Sequence, residues 1–297
     1  MKYILTLVTT LIALNSFSQE RAFFGRVIDK ATRKGIPFCL VQAKGRNEGV
    51  YTDEHGRFSF TSNLDSAKTF LFYCLGYTKQ EFAAGKLSKD SILVELHKES
   101  YNLKEVTVRK GKPRTDYIGM KKAKHNGDCY QKYGEEDAVF LKADGAKNGI
   151  LKEVYLFVTD EGVPTTKFRI HIYSKDPVTN LPSKELTDSN IIVNATKGNE
   201  WVMVDLGNKW IDIYDGVYIS MEWIAGHGNT DRSLQSVKHA DVNNHNGQVL
   251  GLTKNSWKGK AKVQYMYHRD AFHNEWVFNY NPLYCPMIYA KYIYYKG

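Results

Sequence analysis

The chain has 297 residues, of which 42% are hydrophobic and 25% charged, with 41 Lys and Arg against 32 Asp and Glu. This composition excludes a largely disordered chain and is typical of a globular protein with about two domains. The formal net charge of +9 is scattered along the sequence, which favours a solvated basic surface and no nucleic-acid partner.

Residues 1–18 predict a signal peptide. Lys2 precedes an apolar run at residues 3–14, and Ser16 and Ser18 occupy the small-residue positions of a signal-peptidase site. The run is shorter than the roughly 20 residues that cross a bilayer, and no Cys lies near the cleavage site for a lipid anchor. We therefore expect cleavage before Gln19, export to the periplasm, the outer membrane or the cell exterior, and no transmembrane segment afterwards.

Residues 19–98 show short strand patterns separated by turns, which predict a small β-sandwich. The predicted strands are residues 23–28, 38–43, 50–52, 57–60, 69–74, 79–82 and 91–96. Within the motif Thr-Asp-x-x-Gly-x-Phe, Asp53 is expected to bond the turn backbone and Gly56 to take a positive φ. Both residues therefore have structural roles in this prediction.

This stretch resembles the carboxypeptidase-regulatory-like domain, a transthyretin-like sandwich found beside some metallocarboxypeptidase units and in TonB-dependent receptors of Bacteroidetes. The matching residues are Gly25, Val27, Asp29, Thr32, Gly35, Pro37, Val41, Gly49, Thr52, Asp53, Gly56, Phe58, Gly76, Tyr77 and residues 103–108. The resemblance implies an accessory module, with Cys39 where the family usually has a small residue. No receptor plug or barrel is expected after Val108, because no long ladder of amphipathic strands follows.

Residues 99–128 predict one strand, at 103–108, followed by a basic linker without apolar periodicity. A second domain is expected at residues 129–297, where apolar residues recur with period two. Its predicted strands are residues 138–143, 150–159, 166–174, 190–194, 200–205, 216–223, 262–268, 276–278 and 287–295. We predict an all-β protein in which a small transthyretin-like sandwich precedes a larger jelly-roll-like sandwich of unknown function.

The chain has an even number of cysteines, Cys39, Cys74, Cys129 and Cys285, which an oxidising compartment allows to pair. Cys39 and Cys74 lie in strand patterns of the first domain, where they either face each other or are merely packed. The absence of Cys-x-x-Cys excludes a thioredoxin-like site and a zinc ribbon.

The sequence lacks the catalytic motifs of a zinc carboxypeptidase and of a serine hydrolase. No His is followed by Glu three residues later, as a zinc carboxypeptidase requires, and no Gly-x-Ser-x-Gly elbow is present. We therefore predict no catalytic residue, no bound metal and no cofactor.

Loop histidines and loop acids form the remaining polar candidates. His239, His245, His268 and His273 have neighbouring Asp residues and would form a metal-dependent hydrolase site if their loops converged. Solvated loop histidines are the favoured interpretation. The adjacent acids at residues 135–137 would hold a structural Ca²⁺ if they converged, but solvation is the favoured interpretation. Neighbouring side chains on an extended chain point in opposite directions and cannot all reach one ion.

The stretch from residue 257 to the end is rich in aromatic residues, and Trp257 and Trp276 are its candidates for ligand binding. Core packing is the favoured role, while exposed rings would stack on sugars. The predicted function is an exported, non-catalytic binding or surface-assembly protein whose partner is a cell-surface glycan or an outer-membrane protein. A carbohydrate-binding module and a metal-dependent hydrolase are the alternatives.

Overall fold

The computed structural model describes residues 21–44, 49–62, 69–86, 91–99, 111–130, 133–143, 148–207, 209–224, 247–254, 266–270, 275–279 and 283–296. Within these ranges the chain folds into strands and one short 3-10 helix, Ala84–Lys86, so the predicted all-β class is confirmed. None of the helices in these ranges has the length and apolar character needed to span a membrane. The predicted signal peptide and the predicted strand at residues 103–108 lie outside the described residues.

The first sandwich consists of two small sheets with a shared core. Its strands are β1 (Arg21–Asp29), β2 (Leu40–Ala43), β3 (Gly49–Tyr51), β4 (Arg57–Ser62), β5 (Thr69–Tyr73), β6 (Gln80–Ala83) and β7 (Ile92–Leu96). One sheet has the order β4-β1-β7, with β1 and β7 parallel, and the other has the order β3-β2-β5-β6. Alternate residues of both sheets, such as Val27, Val41, Phe72 and Val94, meet in one buried cluster.

The second sandwich packs a seven-stranded sheet against an eight-stranded sheet. Its strands are β8 (Lys112–Gly119), β9 (Gly127–Tyr130), β10 (Glu135–Lys142), β11 (Gly149–Val158), β12 (Phe168–Lys175), β13 (Pro182–Glu185), β14 (Ile191–Val193), β15 (Glu200–Asp205), β16 (Ile211–Ile213), β17 (Gly216–Trp223), β18 (Val249–Lys254), β19 (Met266–Asp270), β20 (Val277–Phe278), β21 (Tyr284–Pro286) and β22 (Ile288–Lys296). The seven-stranded sheet runs β13-β12-β17-β10-β19-β20, with β14 beside β12. The eight-stranded sheet runs β21-β18-β11-β22-β8, with β15 and β16 beside β11 and β9 beside β18.

Strand β8 differs from the sequence prediction. Residues 112–119 were expected in a basic linker, but they pair along their whole length with β22 of the second sandwich. The strand has a mostly exposed sequence because it lies at the edge of its sheet, and Lys112 and Arg114 remain exposed to solvent. The second sandwich therefore already includes residues of the predicted linker.

The turn between β3 and β4 joins the two sheets of the first sandwich. The Asp53 carboxylate accepts hydrogen bonds from the backbone N–H groups of His55 and Arg57, both at 2.8 Å. Gly56 has a φ of 79°, and a Cβ atom there would lie 2.4 Å from the carbonyl oxygen of Val27 and 2.8 Å from Cα of Gly35. The turn thus requires glycine both for its backbone angle and for the close approach of three chain segments.

We expect Gly56→Ala to lower the free energy of unfolding by more than about 2 kcal/mol, through left-handed strain of roughly 1–2 kcal/mol and the backbone clash. Gly207 provides a matched control because it has a φ of 55° but nothing within 4 Å of an added Cβ atom. Gly207→Ala should therefore cost only about 1 kcal/mol. Urea denaturation of both variants measures the difference, and equal costs would contradict the role of the close approach.

The carboxylate of Asp53 makes a separate contribution to the same turn. Asp53→Ala should cost about 1 kcal/mol through the loss of its two backbone hydrogen bonds. Asp53→Asn is the control, since its amide oxygen keeps an acceptor in the turn. A cost of Asp53→Ala no larger than that of Asp53→Asn would show that these hydrogen bonds contribute little to stability.

Candidate functional site

Charged side chains line the outer side of the seven-stranded sheet. In β12 and β17 the apolar residues alternate with polar ones, and the apolar set faces the core of the second sandwich. Antiparallel pairing places Arg169 opposite Glu222, Glu222 opposite Glu136, and Glu136 opposite Arg269. The ladder therefore forms one row of four charges, with a cation at each end and two carboxylates between them. We refer to this row together with His171 as the charge cluster.

The carboxylate of Glu222 is the centre of the charge cluster. Its Oε2 atom lies 2.7 Å from Nη1 of Arg169 and 3.0 Å from Nε2 of His171. Its Oε1 atom accepts a hydrogen bond from the hydroxyl of Tyr51, which belongs to the first sandwich. His171 also contacts Glu185 of β13, with 2.7 Å between Nδ1 and Oε2. Both oxygens of Glu222 and both ring nitrogens of His171 therefore have partners.

These contacts set the protonation states in the cluster. Burial disfavours the charged form of Glu222, but the charges of Arg169 and His171 outweigh it and lower the pKa of Glu222 far below its usual range. Burial likewise opposes charge on His171, but Glu136, Glu185 and Glu222 raise the pKa of His171 to about 10. His171 is therefore a cation at neutral pH, and both of its ring nitrogens donate hydrogen bonds.

The acids of β10 are not solvated, contrary to the expectation from sequence. Glu136 and Asp137 are only 3% and 2% exposed. Glu136 accepts hydrogen bonds from Ser220 and Arg269 on one side of the sheet, and Asp137 contacts His268 on the other, with 3.0 Å between Oδ1 and Nδ1. The side chains do alternate as expected, but each one contacts a basic side chain of the neighbouring strand β19.

The structure describes two of the predicted ligand-binding residues, His268 and Trp276, and both contact other side chains of the protein. His268 pairs with Asp137 as above, and its Nε2 atom lies 3.8 Å from Oε1 of Glu135. Trp276 is partly buried, with its ring 4.5 Å from the guanidinium carbon of Arg269 and 5.7 Å from the ring of Tyr173. Trp257, His239, His245 and His273 lie outside the described residues. No three His, Cys, Asp or Glu side chains group as metal ligands within the ranges that the structure describes.

The first sandwich packs against the same side of the seven-stranded sheet. Besides the Tyr51 contact, Arg169 donates to the backbone carbonyl of Phe38, and the N–H of Tyr51 donates to the hydroxyl of Tyr133 at 3.0 Å. Phe38, Leu40 and Tyr51 share an apolar cluster with Ile224 of the second sandwich. The charge cluster is thus part of an interface between the two sandwiches, which explains its burial.

A second, different surface covers the outer side of the eight-stranded sheet. Five aromatic side chains lie there on four adjacent strands, and we refer to them as the aromatic face. They are Tyr117 of β8, Tyr289 of β22, Tyr155 and Phe157 of β11, and Trp201 of β15. Their neighbours in sequence point into the core, so strand alternation directs these rings to the opposite side of the sheet. At about 4.8 Å between strands, the aromatic face extends over roughly 14 Å.

The rings of the aromatic face touch one another, and four of the five are at least partly accessible. Tyr155 and Tyr289 are stacked with centroids 4.3 Å apart and 7° between their planes, and Trp201 lies edge-on to Tyr289 at 4.8 Å. Tyr117 is 39% exposed and Tyr155, Phe157 and Trp201 are partly exposed, whereas Tyr289, which lies between them, is only 9% exposed. Continuous apolar surface of this kind marks a site of interaction more often than isolated exposed residues do.

Polar groups surround the aromatic face. Lys291 and Glu153 form an ion pair with 2.7 Å between Nζ and Oε1, and Glu153 also accepts a hydrogen bond from the hydroxyl of Tyr155. At the β8 edge, Nζ of Lys121 lies 3.1 Å from the ring centroid of Tyr117. The surface therefore combines flat apolar rings with both donors and acceptors of hydrogen bonds.

The aromatic face is not evident from the sequence. Its residues are spread from position 117 to position 289 and become neighbours only through strand pairing. The local signal was that Tyr155 and Phe157 of β11 and Tyr289 of β22 occupy outward-facing positions, where strand residues are usually polar.

Comparison with known proteins identifies the first sandwich. Residues 23–108 match the family model of the CarboxypepD_reg-like domain, which confirms the resemblance seen in the sequence. No curated protein sequence matches the chain. Among solved structures, the chain is similar to the cysteine protease and lectin-like domains of Cwp84, a surface layer associated protein of Clostridium difficile, at 10% identity and a TM-score of 0.34. The match covers 88% of this chain but 59% of that one, and so low a TM-score carries no functional argument.

The protonation of His171 makes the stability of the protein depend on pH. Unfolded His loses its proton near pH 6.5, whereas folded His171 keeps it up to about pH 10. Its stabilising contribution is therefore complete below pH 6.5 and is lost as the pH rises towards 10, by at most about 1.4 kcal/mol per pH unit.

His171→Gln should flatten the fall in unfolding free energy between pH 7 and pH 10, as measured by urea denaturation. His55→Gln is the control, because the side chain of His55 is exposed and lies outside the charge cluster. A pH dependence that is the same in the wild type and in His171→Gln would contradict the charged state of His171.

Proposed function

We propose that this chain, which carries a CarboxypepD_reg-like domain as its first sandwich, is an exported, non-catalytic protein that binds glycan chains on the aromatic face of its second sandwich. The observation that carries the proposal is the set of five contiguous rings on the outer side of the eight-stranded sheet. The first sandwich contacts the other, seven-stranded sheet through Tyr51.

Sugar rings match this surface chemically. One face of a pyranose presents C–H groups, which pack on the flat side of an aromatic ring, while its edge presents hydroxyl groups. The carboxylate of Glu153 and the ammonium group of Lys291 lie at the border of the rings, where they supply an acceptor and a donor for those hydroxyls. A face of roughly 14 Å accommodates more than one sugar unit of a chain.

The charge cluster supports a role without catalysis. A general acid or base has to reach the proton that it transfers, and its carboxylate or imidazole must be free to change partners. Glu222 and His171 are buried, and all of their polar side-chain atoms bond protein groups. Their perturbed pKa values are accounted for by the packing of the two sandwiches. The hydrolase alternative would require turnover that disappears when one His or carboxylate is changed.

We expect Trp201→Ala to weaken glycan binding about tenfold, which corresponds to ~1.4 kcal/mol for the loss of one stacked ring. Affinity electrophoresis in gels that contain a soluble glucan, mannan, galactan or pectin gives the measurement. The wild type should be retarded by at least one of these polysaccharides, and the polysaccharide should remain uncut.

Tyr214→Ala is the matched control, because Tyr214 is 60% exposed but lies outside the aromatic face. It should be retarded like the wild type, and urea denaturation should show that Trp201→Ala is folded. The proposal fails if no polysaccharide retards the wild type, or if Trp201→Ala and the wild type are retarded equally. Selective binding of an outer-membrane protein instead would assign the aromatic face to surface assembly.

Export is proposed from the pattern of Lys2, the apolar run and the small residues at Ser16 and Ser18. The mature protein recovered from a Gram-negative host should begin at Gln19, because signal peptidase cuts after small residues. Mass spectrometry of the N-terminal peptide measures this directly. Recovery of a cytoplasmic chain that still begins at Met1 would rule out export by this signal.

A further inference from the structure

Two cysteines face each other on neighbouring strands of the first sandwich. Leu40 pairs with Tyr73 in the β2–β5 ladder, so the next pair along the two strands is Cys39 and Cys74. Their side chains belong to the same buried core and are 0% and 2% exposed. Both cysteines have free thiols in the structure.

The backbone geometry of this pair suits a disulfide. The N–H of Cys39 donates to Oγ1 of Thr52 and its carbonyl accepts from the N–H of Thr52, both at 2.9 Å. The backbone groups of Cys39 therefore point away from Cys74, which makes the two cysteines a non-hydrogen-bonded pair of the antiparallel ladder. Such pairs have Cα atoms about 4.5 Å apart, within the range of roughly 4.4–6.8 Å that disulfides span.

The two sulfur atoms also have the surroundings that disulfide formation needs. Sγ of Cys39 donates to the carbonyl of Tyr73 at 3.3 Å, and Nδ2 of Asn190 donates to Sγ of Cys74 at 3.1 Å. Burial raises the pKa of Cys39, whereas the pKa of Cys74 is lowered to about 7, chiefly because the Cys39 thiol can turn from the Tyr73 carbonyl and donate to a Cys74 thiolate. The Cys74 sulfur is thus the better nucleophile of the pair.

We propose that Cys39 and Cys74 form a cross-strand disulfide when the chain folds in the presence of a disulfide oxidant. The thiolate of Cys74 attacks one sulfur of the oxidant, such as glutathione disulfide, and releases one glutathione thiolate. The thiolate of Cys39 then attacks Sγ of Cys74 in the mixed disulfide and displaces the second glutathione. The two cysteines lose two electrons and two protons in total, and one glutathione disulfide becomes two glutathione molecules.

The other two cysteines remain thiols, because the eight-stranded sheet keeps them apart. Cys129 pairs with Leu250 on one side of β18, and Cys285 pairs with Thr253 on the other side. Two strand spacings of about 4.8 Å therefore separate them, which exceeds the ~7 Å limit for bridging Cα atoms. The thiol of Cys129 instead donates to Oδ2 of Asp137 at 3.2 Å.

The proposed bridge would strengthen the sheet that contacts the second sandwich. Cys39 lies directly between Phe38 and Leu40, which belong to the apolar cluster at the interface. Asn190, whose amide contacts Cys74, precedes β14 of the second sandwich. A covalent link between β2 and β5 would therefore hold the interface side of the first sandwich in one conformation.

The test starts from the full mature chain, reduced and unfolded in urea, and refolds it in a mixture of reduced and oxidised glutathione. Acid quenching, alkylation with N-ethylmaleimide under denaturing conditions and mass spectrometry then count the thiols. We expect two alkylated cysteines, Cys129 and Cys285, and a non-reduced digest that contains the Cys39 peptide linked to the Cys74 peptide. Reduction in denaturant should lower the urea midpoint measured afterwards for the refolded protein.

Cys129→Ala is the control and should keep the bridge, leaving one alkylated cysteine. Cys39→Ala should lose the bridge, but the wild-type peptide map decides the question even if this variant does not fold. Four alkylated cysteines in the refolded wild type, or a linked peptide that contains Cys129 or Cys285, would overturn the proposal.

Discussion

The guanidinium group of Arg169 is the constraint on which the arrangement of the two sandwiches depends. A buried cation is strongly unfavourable unless its charge is matched. The Nη atoms of Arg169 find partners in both sandwiches, whereas its Nε atom has no hydrogen-bond partner among the described residues. Glu222 of the second sandwich provides the countercharge, and the carbonyl of Phe38 in the first sandwich accepts a further hydrogen bond. Phe38 has a φ of 54°, a rare value for a non-glycine residue. The turn before β2 thus adopts an unfavourable conformation at the residue whose carbonyl meets Arg169.

This constraint gives the two outer sheet surfaces of the second sandwich different roles. The seven-stranded sheet has charged residues on its outer side, and these are stable there only because the first sandwich and neighbouring strands satisfy them. The eight-stranded sheet has aromatic rings on its outer side, and all of them except Tyr289 are partly exposed. The outer side of the eight-stranded sheet therefore presents preformed rings, whereas the outer side of the seven-stranded sheet contacts a folded domain.

The sequence predicted strands well where one side of the strand is apolar. Each of the nine strands expected in residues 129–297 overlaps an observed strand, because period-two alternation such as that of residues 168–173 is a direct consequence of one buried side. It failed for β8, whose mostly exposed residues carry little apolar signal at a sheet edge. It also missed the short strands β9, β13, β16 and β21 and the largely buried strand β18. The chemical surroundings of the acids were harder to predict. Glu136 and Asp137 are buried beside Arg269 and His268, which are 133 and 131 residues away in sequence, and such a register is not visible in local sequence.

The charge cluster and the aromatic face differ in how firmly their polar groups are held, and they are therefore suited to different roles. In the charge cluster, removing one partner leaves a buried charge unpaired, so each group is held in place by all the others. At the aromatic face, the ion pair of Lys291 and Glu153 lies at the surface, where its atoms exchange partners at small cost. Weak, exchangeable polar groups beside rigid rings are suited to binding a flexible hydroxylated chain. Groups fixed in buried pairs are suited to holding two domains together. The separation of these two kinds of surface onto opposite sheets is the structural basis for proposing a binding protein.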